Sequence, residues 1–185
     1  MTDLSRVLLL TGLPGVGKTT VVQRAMDQLS DRGFKVGGIL TREVRRDKTR
    51  IGFEIEDLST RLKGWLAHVS QPDGPQIGKY RVNLRDLEGV GAKAILSAIV
   101  QADIIAIDEI GPMELTSTSF RESVTKAINS EKIVLATIHH GAGGSFTGAI
   151  KQKKDVEIIE VTLRNREELP QVVTEKIAQM MRNRR

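Results

Sequence analysis

Apolar and polar positions along this chain alternate between a strand-like and a helix-like pattern. Short apolar runs rich in β-branched residues occupy residues 7–10, 36–41, 104–107, 133–137 and 156–161. Helical spacing of apolar positions marks residues 19–29, 84–100, 120–128 and a last stretch from about Arg166. In that last stretch the residues expected to face inward are Leu169, Val172, Val173, Ile177 and Met180. Strands that alternate with helices in this way predict an α/β fold, in which helices cover both faces of a mostly parallel sheet.

One segment, from about 42 to 82, breaks the alternation. Residues 51–58 and 62–69 have the pattern of two hairpin arms, with Asp57, Ser59 and Thr60 at the turn. A Pro- and Gly-containing stretch at 71–75 indicates a loop. We therefore expect a small antiparallel insertion within a single domain that spans residues 1–185, a length that suits one compact unit.

Composition narrows the classes of function. The chain has no cysteine, which excludes disulfides and thiolate chemistry and suits a cytoplasmic protein. No apolar stretch approaches the roughly 20 residues of a membrane helix, so we expect no membrane partner. The net charge of +5 comes with one Trp, one Tyr and four Phe. With so few rings for base stacking, nucleic acid is disfavoured as a partner, and the basic tail is interpreted as a solvated surface.

The most informative motif is a glycine-rich loop that follows the first predicted strand and opens the first predicted helix. It reads Gly12-Leu13-Pro14-Gly15-Val16-Gly17-Lys18-Thr19 and satisfies the phosphate-loop pattern G-x-x-x-x-G-K-[ST]. Its glycines allow successive backbone N–H groups to point at phosphate oxygens, and the helix directs its positive dipole end to the same anion. Lys18 is expected to reach the β- and γ-phosphates, Thr19 to ligate Mg²⁺, and Thr20 to contact the α-phosphate or simply to occupy the first helical turn.

Two adjacent carboxylates follow the apolar run 104–107. Asp108 suits the role of the residue that holds Mg²⁺ in phosphate-loop proteins. Glu109 can orient and deprotonate a water aimed at the γ-phosphorus. Glu114 is either a supporting residue of this site or a solvent-exposed glutamate. The pair of acids behind a phosphate loop predicts a three-layer P-loop NTPase fold with a catalytic site.

Five stretches together resemble one family. They are residues 12–19, Asp108 to Leu115 (Asp-Glu-Ile-Gly-Pro-Met-Glu-Leu), Gly78-Lys79-Tyr80, 136–139 and 162–166. In these stretches the chain is similar to the small P-loop nucleoside-triphosphatases, the archaeal and bacterial relatives of the human cancer-related nucleoside-triphosphatase. The resemblance runs from Arg6 to about Ile177. It implies a RecA-like or additional-strand core, with Glu109 as the residue that activates water. It also implies slow, Mg²⁺-dependent hydrolysis of ATP, GTP and other triphosphates with little base selectivity.

Further positions near the expected site are candidates with an ordinary alternative. Thr137 and His139 stand where a γ-phosphate sensor would lie, and His139 could equally be a surface histidine. His140 and the glycines after it depart from the more basic stretch of the family and predict a mobile loop. Asn165 and Arg166 follow the last strand, where P-loop folds place the nucleobase; Arg166 could stack on it, and Asn165 could instead cap the helix.

Arg42 and Arg45 begin the insertion. Either could supply positive charge to the transition state, as an arginine finger does. The alternative is a basic edge strand that resists aggregation.

The predicted function is hydrolysis of nucleoside 5′-triphosphates (ATP, GTP, CTP, UTP and TTP) to diphosphate and phosphate, by a cytoplasmic monomer with Mg²⁺ as cofactor. One alternative is a nucleoside, nucleotide or small-molecule kinase whose acceptor binds the insertion near Tyr80. Another is a nucleotide-dependent switch, which is weakened because the chain lacks the Asn-Lys-x-Asp guanine motif. Water as the phosphoryl acceptor agrees best with the second acid, Glu109.

Overall fold

The computed structural model describes residues 5–139 and 144–184. Within these ranges the strands form one nine-stranded sheet. They are β1 (Val7–Thr11), β2 (Val36–Arg46), β3 (Thr49–Asp57), β4 (Lys63–His68), β5 (Gln76–Ile77), β6 (Tyr80–Val82), β7 (Ile104–Ile110), β8 (Ile133–Ile138) and β9 (Val156–Glu160). The helices are α1 (Lys18–Asp31), α2 (Leu84–Asp86), α3 (Lys93–Gln101), α4 (Thr118–Asn129), α5 (Ser145–Lys151) and α6 (Leu169–Arg182). A π-helical segment, Leu87–Ala92, joins α2 to α3, and a 3₁₀ turn covers Glu114–Thr116.

The strand order is β5-β6-β4-β3-β2-β7-β8-β1-β9. The five strands from β2 to β9 in this order are parallel. On one face of the sheet α1 and α6 bury their apolar sides, and on the other face α3, α4 and the π-helical segment do so. The alternating residues of β1 divide between these two cores, with Leu8 and Leu10 on one side and Val7 and Leu9 on the other. The predicted three-layer α/β fold is therefore confirmed.

The predicted antiparallel insertion extends the same sheet. Strand β2 pairs in parallel with β7 from Val36 to Ile39, and its remainder pairs antiparallel with β3. Ile39 belongs to both ladders, since it pairs with Ile107 on one side and with Asp57 on the other. Strands β4, β6 and β5 continue the antiparallel pairing outward. We call β3 to β6, together with the antiparallel part of β2, the extension.

The structure corrects several details. Helix α6 begins at Leu169 and not near Arg166, and Val172 is 50% exposed, so it does not face the core. Asn165 does not cap this helix, because the capping position is Glu168. Arg42 and Arg45 lie beyond Ile39, where the pairing of β2 with β7 ends, so among the described residues this part of β2 pairs with β3 alone, as the edge-strand alternative expects. The short strands β5 and β6 and helix α5 had no predicted counterpart.

The predicted loop at His140–Gly143 lies outside the described residues. Among the helices of the described ranges, none combines the length and apolar character needed to span a bilayer.

Gly38 in β2 should be intolerant of a side chain. Its φ is +103°, and a Cβ would lie 2.0 Å from the Ala106 carbonyl oxygen of β7. We expect Gly38→Ala to lower the free energy of unfolding by roughly 3 kcal/mol or more, measured by denaturant titration. Gly148→Ala is the control, because a Cβ on this helical glycine of α5 meets nothing within 4 Å. It should stabilise the protein slightly, by about 0.5–1 kcal/mol. Equal effects of the two substitutions would contradict the packing at Gly38.

Candidate functional site

The candidate site lies at the carboxyl ends of the central parallel strands, the edge where open α/β sheets bind ligands. The loop between β1 and α1 contains the phosphate-loop sequence, and Asp108 and Glu109 stand near the end of β7. Thr137 lies near the end of the neighbouring strand β8. Parallel register brings these three segments to one edge of the sheet.

The phosphate loop is held by backbone geometry and by Lys18. Gly17 precedes α1 with φ +113°, a left-handed conformation that favours glycine. Gly12 is packed so closely that a Cβ would lie 2.5 Å from the Val161 carbonyl oxygen. The buried Lys18 donates from Nζ to the carbonyl oxygens of Gly12, at 3.1 Å, and Leu13, at 3.5 Å. Its ammonium group is thereby placed inside the loop, where a bound phosphate would lie.

Asp108 is fully buried and surrounded by hydroxyl groups. Thr137 Oγ1 donates to Asp108 Oδ1 at 2.7 Å, and the backbone N–H and hydroxyl of Thr41 contact Oδ2 at 3.5 and 3.4 Å. The Thr19 hydroxyl lies near enough to this carboxylate to lower its pKa. Burial raises the pKa of Asp108, and the donors of Thr137, Thr19 and Thr41 oppose that rise.

Glu109 and Glu114 share a small volume beside Gly111. A methyl group at Gly111 would lie 2.7 Å from Glu109 Oε1 and 2.9 Å from Glu114 Oε2. The second oxygen of Glu109, Oε2, is 4.0 Å from Lys18 Nζ. Burial raises the pKa of Glu109 and the Asp108 charge adds to the rise, whereas Lys18 and His139 lower it.

Glu114 is buried, so its interpretation as a solvent-exposed glutamate is wrong. Burial, followed by the charge of Glu109, raises its pKa to about 8, despite hydrogen bonds from the backbone N–H groups of Glu114 and Gly111. At neutral pH this carboxyl is therefore mostly protonated. It borders the same cavity as Glu109 as an uncharged group.

A cavity of about 530 Å³ connects the phosphate loop to the acidic strand end and to the extension. The predicted site residues on its wall are Pro14, Gly15, Gly17, Lys18, Thr19, Thr20 and Glu109. Asp108 lies beneath this wall. Gly12 and Val16 are buried supports of the loop, and Leu13 is exposed to solvent.

The two residues expected at the nucleobase lie outside this cavity. Arg166 is close to the loop, because its Cδ would be 3.7 Å from a Cβ on Gly17. Asn165 holds its own turn, accepting from the Thr162 backbone N–H and donating to the Glu160 carbonyl oxygen, both at 2.8 Å. Arg166 thus lies beside the start of α1, and its contact with the nucleobase stays a prediction.

The candidate sensors and arginines are placed differently from one another. His139 lines the cavity, whereas Thr137 is buried and bonded to Asp108. Arg42 pairs with Glu56 at 3.7 Å, and Arg45 pairs with Glu43 and donates to the Lys48 carbonyl oxygen. Neither arginine is among the residues that line the cavity.

Sequence reasoning missed the wall that the extension contributes. That wall consists of Thr41, Glu43, Arg50, Phe53, Leu66 and Ile77. The sequence alone did not single out Arg50 or Ile77, and Phe53 and Leu66 fell within the two predicted hairpin arms. The one hint in the sequence was the predicted insertion. A hairpin that extends the sheet beyond β2 lies near the phosphate loop and can therefore form a wall of the site.

The oxygen atoms of Thr19 and Asp108 fit a magnesium ion. Mg²⁺ is commonly bound through one or two protein oxygens together with substrate phosphates and water. A hydroxyl and a carboxylate near each other beside the phosphate loop match that donor set. Within residues 5–139 and 144–184, no cluster of three or more His, Asp or Glu side chains suits an all-protein metal cage.

Comparison with known proteins agrees with this geometry. Residues 7–174 match the family described as NTPase. This chain belongs to that family. Relatives named nucleoside-triphosphatase THEP1 are 48% identical in Thermofilum pendens, covering 94% of this chain and 96% of the relative, and 46% identical in Methanosarcina acetivorans, covering 90% and 94%.

Two solved structures of NTPase-family proteins share the fold. THEP1 from Aquifex aeolicus superposes with a TM-score of 0.80 at 30% identity, over 90% of this chain and 96% of that one. The human cancer-related nucleoside triphosphatase superposes with a TM-score of 0.76 at 34% identity, over 92% and 96%. The family resemblance seen in the sequence is confirmed.

Replacing Glu114 with Gln should change how stability depends on pH. With a folded-state pKa of about 8 against 4.5 for the ordinary carboxyl, the folded protein keeps this proton in a range where the unfolded chain releases it. The wild-type protein therefore loses stability as the pH rises between these values. The free energy of unfolding of Glu114→Gln, taken relative to that of the wild type at the same pH, should therefore rise by on the order of 4 kcal/mol from pH 4 to pH 9.

Denaturant titrations of metal-free protein across that range measure the gain. Glu122→Gln is the control for loss of a carboxylate, because Glu122 is exposed on α4. If the two variants changed alike with pH, the buried position of Glu114 would be contradicted.

Proposed function

We propose that this protein hydrolyses nucleoside 5′-triphosphates to diphosphate and phosphate, with ATP, GTP, CTP, UTP and TTP as substrates. The proposal depends on one observation: Lys18 Nζ and Glu109 Oε2, 4.0 Å apart, border the same cavity. A group that binds a terminal phosphate thus lies beside a group that can accept a proton from water. Membership of the NTPase family and the names of the relatives support a triphosphate as the substrate. They give no support to the kinase alternative.

Residues 12–19 bind the phosphates. The loop presents backbone N–H groups around the start of α1, and Thr20 lines the same wall. Lys18 already points into the loop, where it donates to the Gly12 and Leu13 carbonyl oxygens. When a triphosphate binds, the ammonium group exchanges these carbonyl contacts for β- and γ-phosphate oxygens.

Thr19 and Asp108 hold Mg²⁺. An ion held by these two residues would supply positive charge against the negative charge that develops on the phosphate oxygens. Thr137 and Thr41 fix the Asp108 carboxylate by hydrogen bonds. Those donors orient Asp108 and oppose the rise in pKa that its burial causes, and the charge of a bound ion would favour the anion further.

Glu109 orients the attacking water and accepts its proton. The Pγ–O bond to water forms as the bond to the diphosphate oxygen breaks, and the diphosphate leaves with that electron pair. Burial raises the pKa of Glu109 from its ordinary value, which makes the carboxylate a stronger base than an exposed one. Glu114, uncharged beside it, avoids a second negative charge at the same place.

Nucleobase contacts fall to Asn165 and Arg166, on the far side of the loop from the cavity. A guanidinium plane stacks on any base, which agrees with low base selectivity. We further propose that the chain acts as a single-domain cytoplasmic monomer, with no membrane and no nucleic acid among its partners. Its lack of cysteine suits that compartment.

Glu109→Gln tests the hydrolytic role directly. We expect phosphate release from Mg·ATP to fall at least about 100-fold, because proton transfer from water is lost while the shape of the side chain is kept. The dissociation constant for ATP, measured by calorimetry, should change little. Glu122→Gln controls for loss of a surface carboxylate. Full turnover by Glu109→Gln would remove Glu109 from the mechanism.

Asp108→Asn should raise the Mg²⁺ concentration that gives half-maximal hydrolysis by about 10-fold or more, because an amide oxygen carries no charge for the ion. Magnesium titrations at saturating ATP measure this shift. The matched control is Asp103→Asn just before the start of the same strand, where the carboxylate accepts from the Lys35 backbone N–H at 2.8 Å. If the two variants required the same Mg²⁺ concentration, Asp108 would not be a metal ligand.

A further inference from the structure

The extension places one fixed cation on the cavity wall opposite the phosphate loop. Arg50 of β3 lines the same cavity as Lys18 and Glu109. Its neighbours on that wall are mostly apolar: Phe53, Leu66 and Ile77. The phosphate loop can bind a triphosphate without these residues. A positive charge on this wall therefore suggests a separate role for Arg50.

The Arg50 guanidinium is held in one orientation. Its Nε donates to the Tyr80 hydroxyl oxygen at 2.8 Å, and its Nη1 donates to Glu43 Oε2 at 2.9 Å. Its Cζ also lies 5.2 Å from the centre of the Phe53 ring and 5.7 Å from that of Tyr80. Tyr80 is buried and packs edge-on against Phe53 at 5.2 Å. An arginine fixed by two hydrogen bonds and two rings has lost most of its rotamer freedom before any ligand arrives.

Part of the guanidinium has no protein partner among the described residues. Arginine has five N–H donors, and Nη2 of Arg50 donates to no group in the described ranges. Among the residues that the structure describes, Glu43 is the one acid paired with Arg50, and its other oxygen pairs with Arg45. The positive charge of Arg50 is therefore only partly neutralised, and its Nη2 donors remain for an anion.

We propose that Arg50 is a catalytic residue that donates to the non-bridging oxygens of the γ-phosphoryl group during its transfer to water. The inference rests on the proposed hydrolysis. In that step negative charge spreads over these oxygens between the attacking water and the leaving diphosphate. Lys18 contacts them from the loop, and Arg50 contacts them from the opposite wall. Glu43 and Tyr80 are positioning residues that aim the guanidinium.

This role was expected of Arg42 or Arg45 when the sequence alone was considered. Neither of those side chains lines the cavity, since Arg42 pairs with Glu56 and Arg45 with the far oxygen of Glu43, whereas Arg50 borders it. An arginine that acts on a developing phosphoryl charge contributes a factor of about 10³–10⁵ in other phosphate-loop enzymes. Arg50 already pairs with Glu43, so we expect an effect at or below the lower end of that range.

Arg50→Met is the test variant, since Met keeps an unbranched stem against Phe53 and Tyr80 but removes the charge. We expect kcat for Mg·ATP to fall about 100- to 1,000-fold, with KM changed less than about 3-fold. Arg46→Met is the matched control, an exposed arginine at the end of β2. It should keep kcat within about 2-fold of the unmodified protein. Thermal unfolding of both variants checks that the fold is intact.

Arg50→Ala adds a readout that a structural role would not move. Free guanidinium ion at millimolar concentration should restore part of its turnover, and ammonium ion should not. The proposal would be overturned if Arg50→Met had the same kcat as Arg46→Met. It would also be overturned if the kcat of Arg50→Ala fell and added guanidinium did not raise it. Failure of the unmodified protein to release phosphate would instead count against hydrolysis itself.

Discussion

Three carboxylates at and just after the end of β7 impose the main electrostatic constraint on this protein. Asp108 and Glu114 are buried and Glu109 is partly buried, and burial raises the pKa of all three. Lys18 is the cation beside them. Such an arrangement would destabilise an ordinary fold, and it is tolerated because hydroxyl and backbone donors contact Asp108, Lys18 lies beside Glu109, and a proton neutralises Glu114. The proposed metal–triphosphate complex would carry into this site the positive charge that favours the ionised acids.

The topology explains how these groups meet. Parallel strands β1, β7 and β8 end at one edge, so that a phosphate loop, two acids and a threonine arrive together from distant parts of the sequence. Strand β2 then continues past this edge and contributes Thr41, which holds Asp108, and Glu43, which holds Arg50. One strand thereby connects the Asp108 side of the site to the opposite wall.

Sequence reasoning identified the residues whose chemistry depends on local pattern. The phosphate loop and the Asp108–Glu109 pair stand next to strand and helix boundaries, and those boundaries follow from apolar periodicity. Residues whose role depends on distant partners were not found. Arg50 becomes a site residue only through Tyr80, 30 positions later, and the burial of Glu114 follows from packing that no local pattern encodes. The start of α6 was misplaced because Asn165 makes a turn with Thr162 and Glu160 that resembles a helix cap in sequence.

The unbroken course of β2 has a consequence for how a ligand is received. Ile39 is hydrogen bonded into the parallel core and into the antiparallel extension at once, so there is no flexible joint between the phosphate loop and the facing wall. The two sides of the cavity form a preorganised cleft, and little binding free energy is lost in ordering them. The width of this cleft is then set where β2 joins the parallel core, so lengthening the outer hairpin would leave that width unchanged.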